Sequence, residues 1–247
     1  MNRKLENKVA VVTGGSAGIG LGAAQHFAAE GARVFITGRR QPELDQAAAS
    51  IEGQVTAIQG DASNLADIDR IYQTVKAQAG RIDVLFVNAG FYELAKLGEI
   101  TEAHFDKTFN TNVRGLLFAV QKALPLLSQG SSVILTGSIA SIKGFEAFSV
   151  YNATKAAVRS FARSWINDLK GRGIRINVLS PGHIATPGLS RLMTDEQKAS
   201  AEANVPLGRL AEPADISRAV AFLALRDSDY ITGQLLAVDG GYLAQGL

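Results

Sequence analysis

The sequence predicts an α/β domain, a parallel sheet wound with helices on both faces. Three observations carry that reading. Strand-like apolar runs alternate with stretches of helical composition along the whole chain. Runs such as Val9–Val12 and Asp83–Val87 are apolar almost throughout, as suits strands covered on both faces. Apolar residues make up 47% of the 247 residues, enough for one large core.

Seven strands are expected, at Val9–Thr13, Arg33–Thr37, Gln54–Gln59, Asp83–Val87, Ser132–Thr136, Arg175–Leu179 and Leu235–Val238. Helical composition fills Gly20–Glu30, Glu43–Ile51, Leu65–Gly80 and Ser149–Lys170. No linker, repeat or low-complexity segment divides the chain, so residues 1–247 read as a single domain. The stretch from Gly182 to Glu212 is rich in Pro, Gly, Ala and charge, and no strand fits it; a helix is expected around Thr194–Ala203. It follows directly on the C-terminal end of a strand, where ligands bind in open α/β sheets. A substrate lid is therefore expected at about 183–212, with an ordinary surface excursion as the alternative.

Composition narrows the function classes. The formal net charge is +2 and no basic tail or block stands out, which argues against nucleic acid or a membrane surface as partner. There are no cysteines, so disulfides, thiolate catalysis and cysteine zinc sites are excluded. No apolar run approaches the ~18 residues of a membrane span, and Val9–Val12 is too short for a signal segment. A soluble, cytoplasmic protein is expected. His26, His104 and His183 pair with no carboxylates at ligand spacing, so no metal site is expected, although His183 adjoins Pro181-Gly182 and could line a pocket.

The first strand runs into Thr13-Gly14-Gly15-Ser16-Ala17-Gly18-Ile19-Gly20, and a helix follows. Glycines permit a tight turn and let backbone approach a pyrophosphate, while the helix N-terminus offers free N–H groups and positive dipole. A tight βα connection alone is the bland alternative. After the second strand, an NAD site would carry an acid to bind the ribose 2′-hydroxyl. Here Gly38 is followed by Arg39 and Arg40, whose guanidinium groups match a phosphate. NADP is therefore favoured, unless both arginines are only solvated helix-entry residues.

Tyr151 and Lys155 are four residues apart in a helical stretch, so both lie on one face. A free tyrosine titrates near ~10, and a neighbouring ammonium favours its phenolate. Such a pair could serve as general acid and base without metal or histidine. Ser138 follows a strand at the C-terminal edge of the sheet, where its hydroxyl could bind a carbonyl oxygen or simply cap a turn.

Together these residues resemble the short-chain dehydrogenases/reductases over essentially the whole chain. The resemblance rests on Thr13-Gly14-x-x-x-Gly18-x-Gly20, Asp61, Asn88-Ala89-Gly90, Asn112 and Ser138. It continues through Tyr151, thirteen residues beyond Ser138, to Lys155, Pro181-Gly182 and Thr186. It implies a Rossmann-type fold and a catalytic set of Asn112, Ser138, Tyr151 and Lys155. Tyr151 would give a proton to the carbonyl oxygen, Ser138 would hold that oxygen, and Lys155 would lower the tyrosine pKa and bind the nicotinamide ribose. Asn112 would position a water in a proton relay. NADP(H) would lie against Gly14, Ser16, Gly18, Ile19, Gly20, Arg39 and Arg40, then Asp61 and Ala62 at the adenine. Asn88, Ala89 and Gly90 would follow, with Pro181, Gly182, Ile184 and Thr186 near the carboxamide. Two departures stand out. Val87 replaces the first Asn of the usual Asn-Asn-Ala-Gly, and the glycine turn lacks the basic residue that some NADP enzymes carry there.

Around the expected hydride position stand Phe91, Tyr92, Ile139, Ile142, Phe145, His183, Leu189 and Met193. So apolar a set suits a bulky or aryl ketone and its secondary alcohol. A 3-oxoacyl-carrier-protein reductase is an alternative, though an acidic carrier calls for a basic patch and Leu127–Ser132 contains no basic residue. A non-catalytic NADP-binding sensor is a second alternative. The resemblance also implies a homotetramer.

Overall fold

The computed structural model describes residues 3–185 and 194–245. Seven strands form one sheet: β1 (Val9–Thr13), β2 (Arg33–Gly38), β3 (Val55–Gln59), β4 (Ile82–Val87), β5 (Leu127–Thr136), β6 (Arg175–Pro181) and β7 (Leu235–Val238). Their order is β3-β2-β1-β4-β5-β6-β7, and every pairing is parallel. The order reverses direction between β1 and β4, which opens a crevice at the C-terminal ends of these two strands.

Alternation along β1 shows why the sheet is covered twice. Val9 and Val11 enter one buried cluster, Ala10 and Val12 the other. Successive side chains of a strand point to opposite faces, so an unbroken apolar run needs a helical layer on each side. One layer holds α1 (Gly18–Ala29), α2 (Gln41–Ala49) and α8 (Pro213–Ala224). The other holds α3 (Leu65–Ala79), α5 (Leu116–Ala123) and α6 (Ser149–Asp168). Phe27, Phe35 and Phe86 are fully buried. Burying each contributes about 1.5–3 kcal/mol.

Local chemistry sets the helix ends. Asn64 caps α3 by accepting from the Ala66 N–H at 2.9 Å, and Gly80 ends it in the left-handed region at φ +71°. Pro213 begins α8, where its missing N–H costs nothing, and the Asp215 carboxylate accepts from the Glu212 N–H at 2.9 Å. By contrast, α1 begins at Ala17 with no side-chain cap and no acid in its first turn.

One strand differs from the sequence expectation by more than two residues. β5 begins at Leu127 rather than Ser132, because Ile82 pairs with Leu127 before a register shift brings Val84 opposite Ser132. The polar residues Ser128–Gly130 hide this extension from a reading based on apolar runs. The 183–212 stretch has no strand among its described residues, yet it closes on itself through one parallel bridge, Ile184 with Ala211. It also carries the expected helix, α7 (Asp195–Ala203).

Between β4 and β5, α4 (Glu102–Phe109) does not continue directly into α5. Asn110–Gly115 is wound as a π-helix. Such turns insert an extra residue and redirect side chains, often at functional sites. Here the turn carries Asn112.

Candidate active site

The glycine turn closes the bottom of the crevice. Gly14 has φ +67° and Gly18 φ +56°, which other residues adopt only under strain. A Cβ on Gly20 would fall 2.1 Å from the Gly14 carbonyl oxygen, so α1 can start this close to β1 only with glycine there. The turn is thus fixed by packing, and it leaves the uncapped first N–H groups of α1 available to an anion.

A cavity of about 240 Å³ continues from this turn. Gly14, Ser16, Gly38, Arg39, Arg40, Asp61, Ala62, Asn88, Ala89, Gly90 and Phe91 line it. Asn88 also acts as a strut. Its N–H donates to Thr13 Oγ1 at 2.9 Å, its side-chain NH2 donates to the Gly14 carbonyl at 3.1 Å, and its Oδ1 accepts from Thr136 Oγ1 at 3.3 Å. It therefore joins β1, β4 and β5 at the crevice. The Asp61 carboxylate accepts from the Ser63 N–H and hydroxyl, both at 2.8 Å. Arg40 pairs with Glu43 at 3.0 Å, whereas the Arg39 guanidinium has no ion pair among the described residues. These residues fit a dinucleotide: free N–H groups and an unpaired cation face a groove floored by glycine.

Ser138, Tyr151 and Lys155 converge at the adjoining end of β5. Ser138 Oγ accepts from the Ala140 N–H at 3.1 Å, so it does cap the short 3₁₀ turn Ile139–Ser141. That bond occupies a lone pair and leaves the hydroxyl proton to point elsewhere. The Ser138 hydroxyl lies near the Tyr151 side chain and favours its anion. Burial outweighs that influence and pushes the Tyr151 hydroxyl up to about 12. Lys155 is buried, and that burial pulls its amine down to about 8. The amine donates to the Thr136 carbonyl at 2.8 Å and lies 5.5 Å from the Tyr151 ring centre. The four-residue spacing thus brings the two side chains to one face as expected. No hydrogen bond joins the ammonium to the tyrosine hydroxyl, and burial raises that hydroxyl where the ammonium was expected to lower it.

Asn112 is buried at 1% exposure. Its amide donates to the Phe91 carbonyl at 2.7 Å and to Thr154 Oγ1 at 3.2 Å, and its Oδ1 accepts from the Phe91 N–H at 2.8 Å. Both amide protons are thereby engaged, and the side chain clamps Phe91 as a second strand would.

Beyond Tyr151 the site has an aromatic wall. Tyr92 meets Tyr151 edge-on at 6.2 Å, Phe148 meets Tyr151 at 5.9 Å, and Phe145 meets Phe148 at 6.0 Å. Phe145 then contacts His183 at 6.1 Å and Tyr242 at 6.2 Å. Between Phe145 and Phe148 the backbone turns through Ala147 at φ +63°, a left-handed conformation that costs a non-glycine residue about 1–2 kcal/mol. Of the expected substrate residues, Phe91, Tyr92, Phe145 and His183 lie in or beside this space. Ile142 is half-buried on the same turn. Ile139 is 3% exposed and packs inward, so it serves the turn rather than a ligand surface. Leu189, Met193 and Thr186, with much of the expected lid, lie outside the described residues.

Pro181 and Gly182 close β6, where a Cβ on Gly182 would fall 2.7 Å from Asp239 Cα. Ala211 bridges to His183 and Ala185, donating to one at 2.9 Å and accepting from the other at 2.8 Å. The N–H and C=O of Ile184 are therefore not used by that bridge, while its side chain is buried. The sequence reading missed Phe148, Tyr242 and Thr136. The first two are ordinary aromatics until the fold brings them together, and Thr136 meets Lys155 only through its carbonyl.

Comparison with known proteins agrees with this architecture. A family model described as enoyl-(acyl carrier protein) reductase, adh_short_C2, matches residues 14–243. The chain is 46% identical to oxidoreductase asL5 of Sarocladium schorii, covering 98% of both chains. It is 35% identical to an NADP-dependent (R)-specific alcohol dehydrogenase of Lentilactobacillus kefiri, over 99% of this chain and 100% of that one. Its fold matches a short-chain dehydrogenase/reductase structure from Brucella melitensis with a TM-score of 0.94 at 32% identity, covering 98% of this chain and 99% of that one. With the parallel sheet, the glycine turn and the Ser138–Tyr151–Lys155 cluster, these matches place the chain in the short-chain dehydrogenase/reductase family of oxidoreductases.

Proposed function

We propose that the protein interconverts ketones and secondary alcohols with NADP(H), on bulky or aryl substrates. The observation that carries this reading is the gathering of Ser138, Tyr151 and Lys155 between the glycine-floored cavity and the aromatic wall. The bound dihydronicotinamide would supply the hydride that reduces the carbonyl carbon. Tyr151, neutral at physiological pH, holds the proton that the carbonyl oxygen needs. Ser138, oriented by the Ala140 N–H, donates to that oxygen and stabilises the charge developing on it. Lys155 sets a positive charge beside the tyrosine, and its tie to Thr136 fixes the stem of its side chain. Both amide protons of Asn112 being engaged, a relay water would be held by peptide groups of the π turn rather than by the Asn112 side chain.

Arg39 supports NADP over NAD, because an unpaired guanidinium stands where an NAD site would carry an acid. The NADP-dependent relative is consistent with this. Gly14, Ser16, Gly18, Ile19, Gly20, Arg39, Arg40, Asp61, Ala62, Asn88, Ala89, Gly90, Lys155, Pro181, Gly182, Ile184 and Thr186 make up the proposed cofactor set. A carrier-bound 3-oxoacyl thioester is the second reading, favoured by the 33% identity to a 3-oxoacyl-[acyl-carrier-protein] reductase of Thermotoga maritima.

The test is NADPH oxidation at neutral pH against an aryl ketone, a bulky aliphatic ketone, a keto sugar and a 3-oxoacyl thioester, with NADH as control. Turnover of the plain ketones with NADPH is expected. Turnover confined to the thioester would move the substrate to the second reading.

A further inference from the structure

Lys143 stands five residues beyond Ser138, on the turn that leads to the aromatic wall. Its backbone is fixed from both sides of the site. The N–H donates to the Ile139 carbonyl at 3.0 Å, and the carbonyl accepts from the Asn152 side chain at 3.2 Å. Its position is therefore tied to the turn of Ser138 and to the helix of Tyr151. The ammonium lies over the Tyr242 ring, 4.7 Å from the centroid. Tyr242 in turn meets His183 edge-on at 4.9 Å. Burial, and then the Lys143 charge, hold the His183 imidazole below its ordinary range, so His183 adds no second cation at neutral pH.

Lys143 differs from most cations around it. Among the described residues it has no carboxylate partner, and Glu146, three residues along, is taken by Lys96 at 2.8 Å. A half-buried ammonium held against an aromatic face keeps most of its charge available to a further partner. The wall from Tyr151 through Phe148 and Phe145 to Tyr242 runs between the proton donor and this cation. A molecule lying along it would meet an acid at one end, aromatic rings set edge to face in the middle and a positive charge at the other end.

We propose that Lys143 is a specificity-determining residue that pairs with an anionic group at the end of the substrate opposite the reacting carbonyl. The substrate class is then a keto acid, or a keto phosphate, with an aromatic or extended apolar body. This rests on the ketone reduction proposed above and narrows it.

The test compares 3-(4-acetylphenyl)propanoate with its methyl ester and with 4-acetylphenyl phosphate, read as kcat/KM with NADPH. The wild-type protein is expected to prefer an anionic ketone over the ester, mainly through KM, and the two anions show whether carboxylate or phosphate is favoured. In Lys143→Met the ratio of carboxylate to ester should fall about tenfold, the scale of a lost charge-assisted hydrogen bond. Lys143→Arg should restore most of it, and Lys4→Met, which removes a cation at the opposite edge of the sheet, should leave it unaltered. Each ratio is taken within one variant, so partial loss of folded protein cancels. A wild-type ratio near one, or a ratio that Lys143→Met does not move, overturns the proposal. The same ligand pair is also titrated calorimetrically in the presence of NADPH. A charge preference that persists in binding without turnover of any ketone would refute the reaction and leave the anion subsite standing.

Discussion

The two edges of the sheet differ in what they do with charge. At the N-terminal edge a groove of about 710 Å³, lined by Lys4, Lys8, Asp83, Arg175, Arg226 and Asp229 among others, is the larger hollow. Its charges are paired save for the exposed Lys170: Lys4 with Asp227, Lys8 and Arg81 with Asp83, and Arg175 and Arg226 with Asp229. At the C-terminal edge the hollow is about 240 Å³, yet among the described residues Arg39 has no ion pair and the buried Lys155 ammonium has no carboxylate partner. Size does not mark the site; polar groups left without partners do. Neutralised charges hold strand ends in place, whereas unneutralised ones await a ligand.

Substitutions at the two edges should therefore fail differently. The largest effect is expected at Tyr151→Phe, which removes the proton donor but little volume. Ketone reduction should fall by about 10³-fold while NADPH binding, followed by fluorescence, is retained. Activity within tenfold of the parent would break the assignment. Next comes Arg39→Ala, which should weaken NADPH binding by more than about tenfold and change NADH little. Equal losses for both cofactors would refute a 2′-phosphate contact. The smallest effect on chemistry, and a pure stability effect, is expected at Asp83→Asn on the opposite edge. Burial opposes the charge on Asp83, but hydrogen bonds from the Val9 N–H, Lys8 and Arg81 outweigh it and hold its carboxyl below the ordinary range. Its stabilising contribution is thus present above pH ~4 and lost as pH falls through the folded-state value. Asp83→Asn should cost about 1–3 kcal/mol in neutral denaturant melts, a gap that narrows in acid, with kcat/KM unaltered. A loss of activity matching the loss at Tyr151 would erase the distinction between the edges.

The sheet was legible because buried parallel strands are continuous apolar runs, and six of the seven observed strands begin within a residue of their expected positions. β5 was not, since the polar Ser128–Gly130 belong to it through pairing rather than composition. Motif spacing made the chemical residues legible, because Tyr151 and Lys155 share one helix and Ser138 must follow a strand. The aromatic wall was legible only in part: Tyr92, Phe145 and His183 were expected near the hydride position, whereas Phe148 and Tyr242 were not, because no local pattern marks residues that meet only after folding. The role of Asn112 was only half legible: the residue is named by its motif, but its clamp on Phe91 depends on the winding of its helix.

That winding has a consequence for how the gene can change. Each residue of an α-helix rotates the next by about 100°. Deleting one residue between Asn110 and Gly115 would remove the extra residue of the π turn and swing the Asn112 amide away from Phe91, though every side chain of the clamp remained encoded. Length within these six positions therefore constrains the site as identity does, and a single-codon deletion there should be more damaging than most substitutions on the same helix.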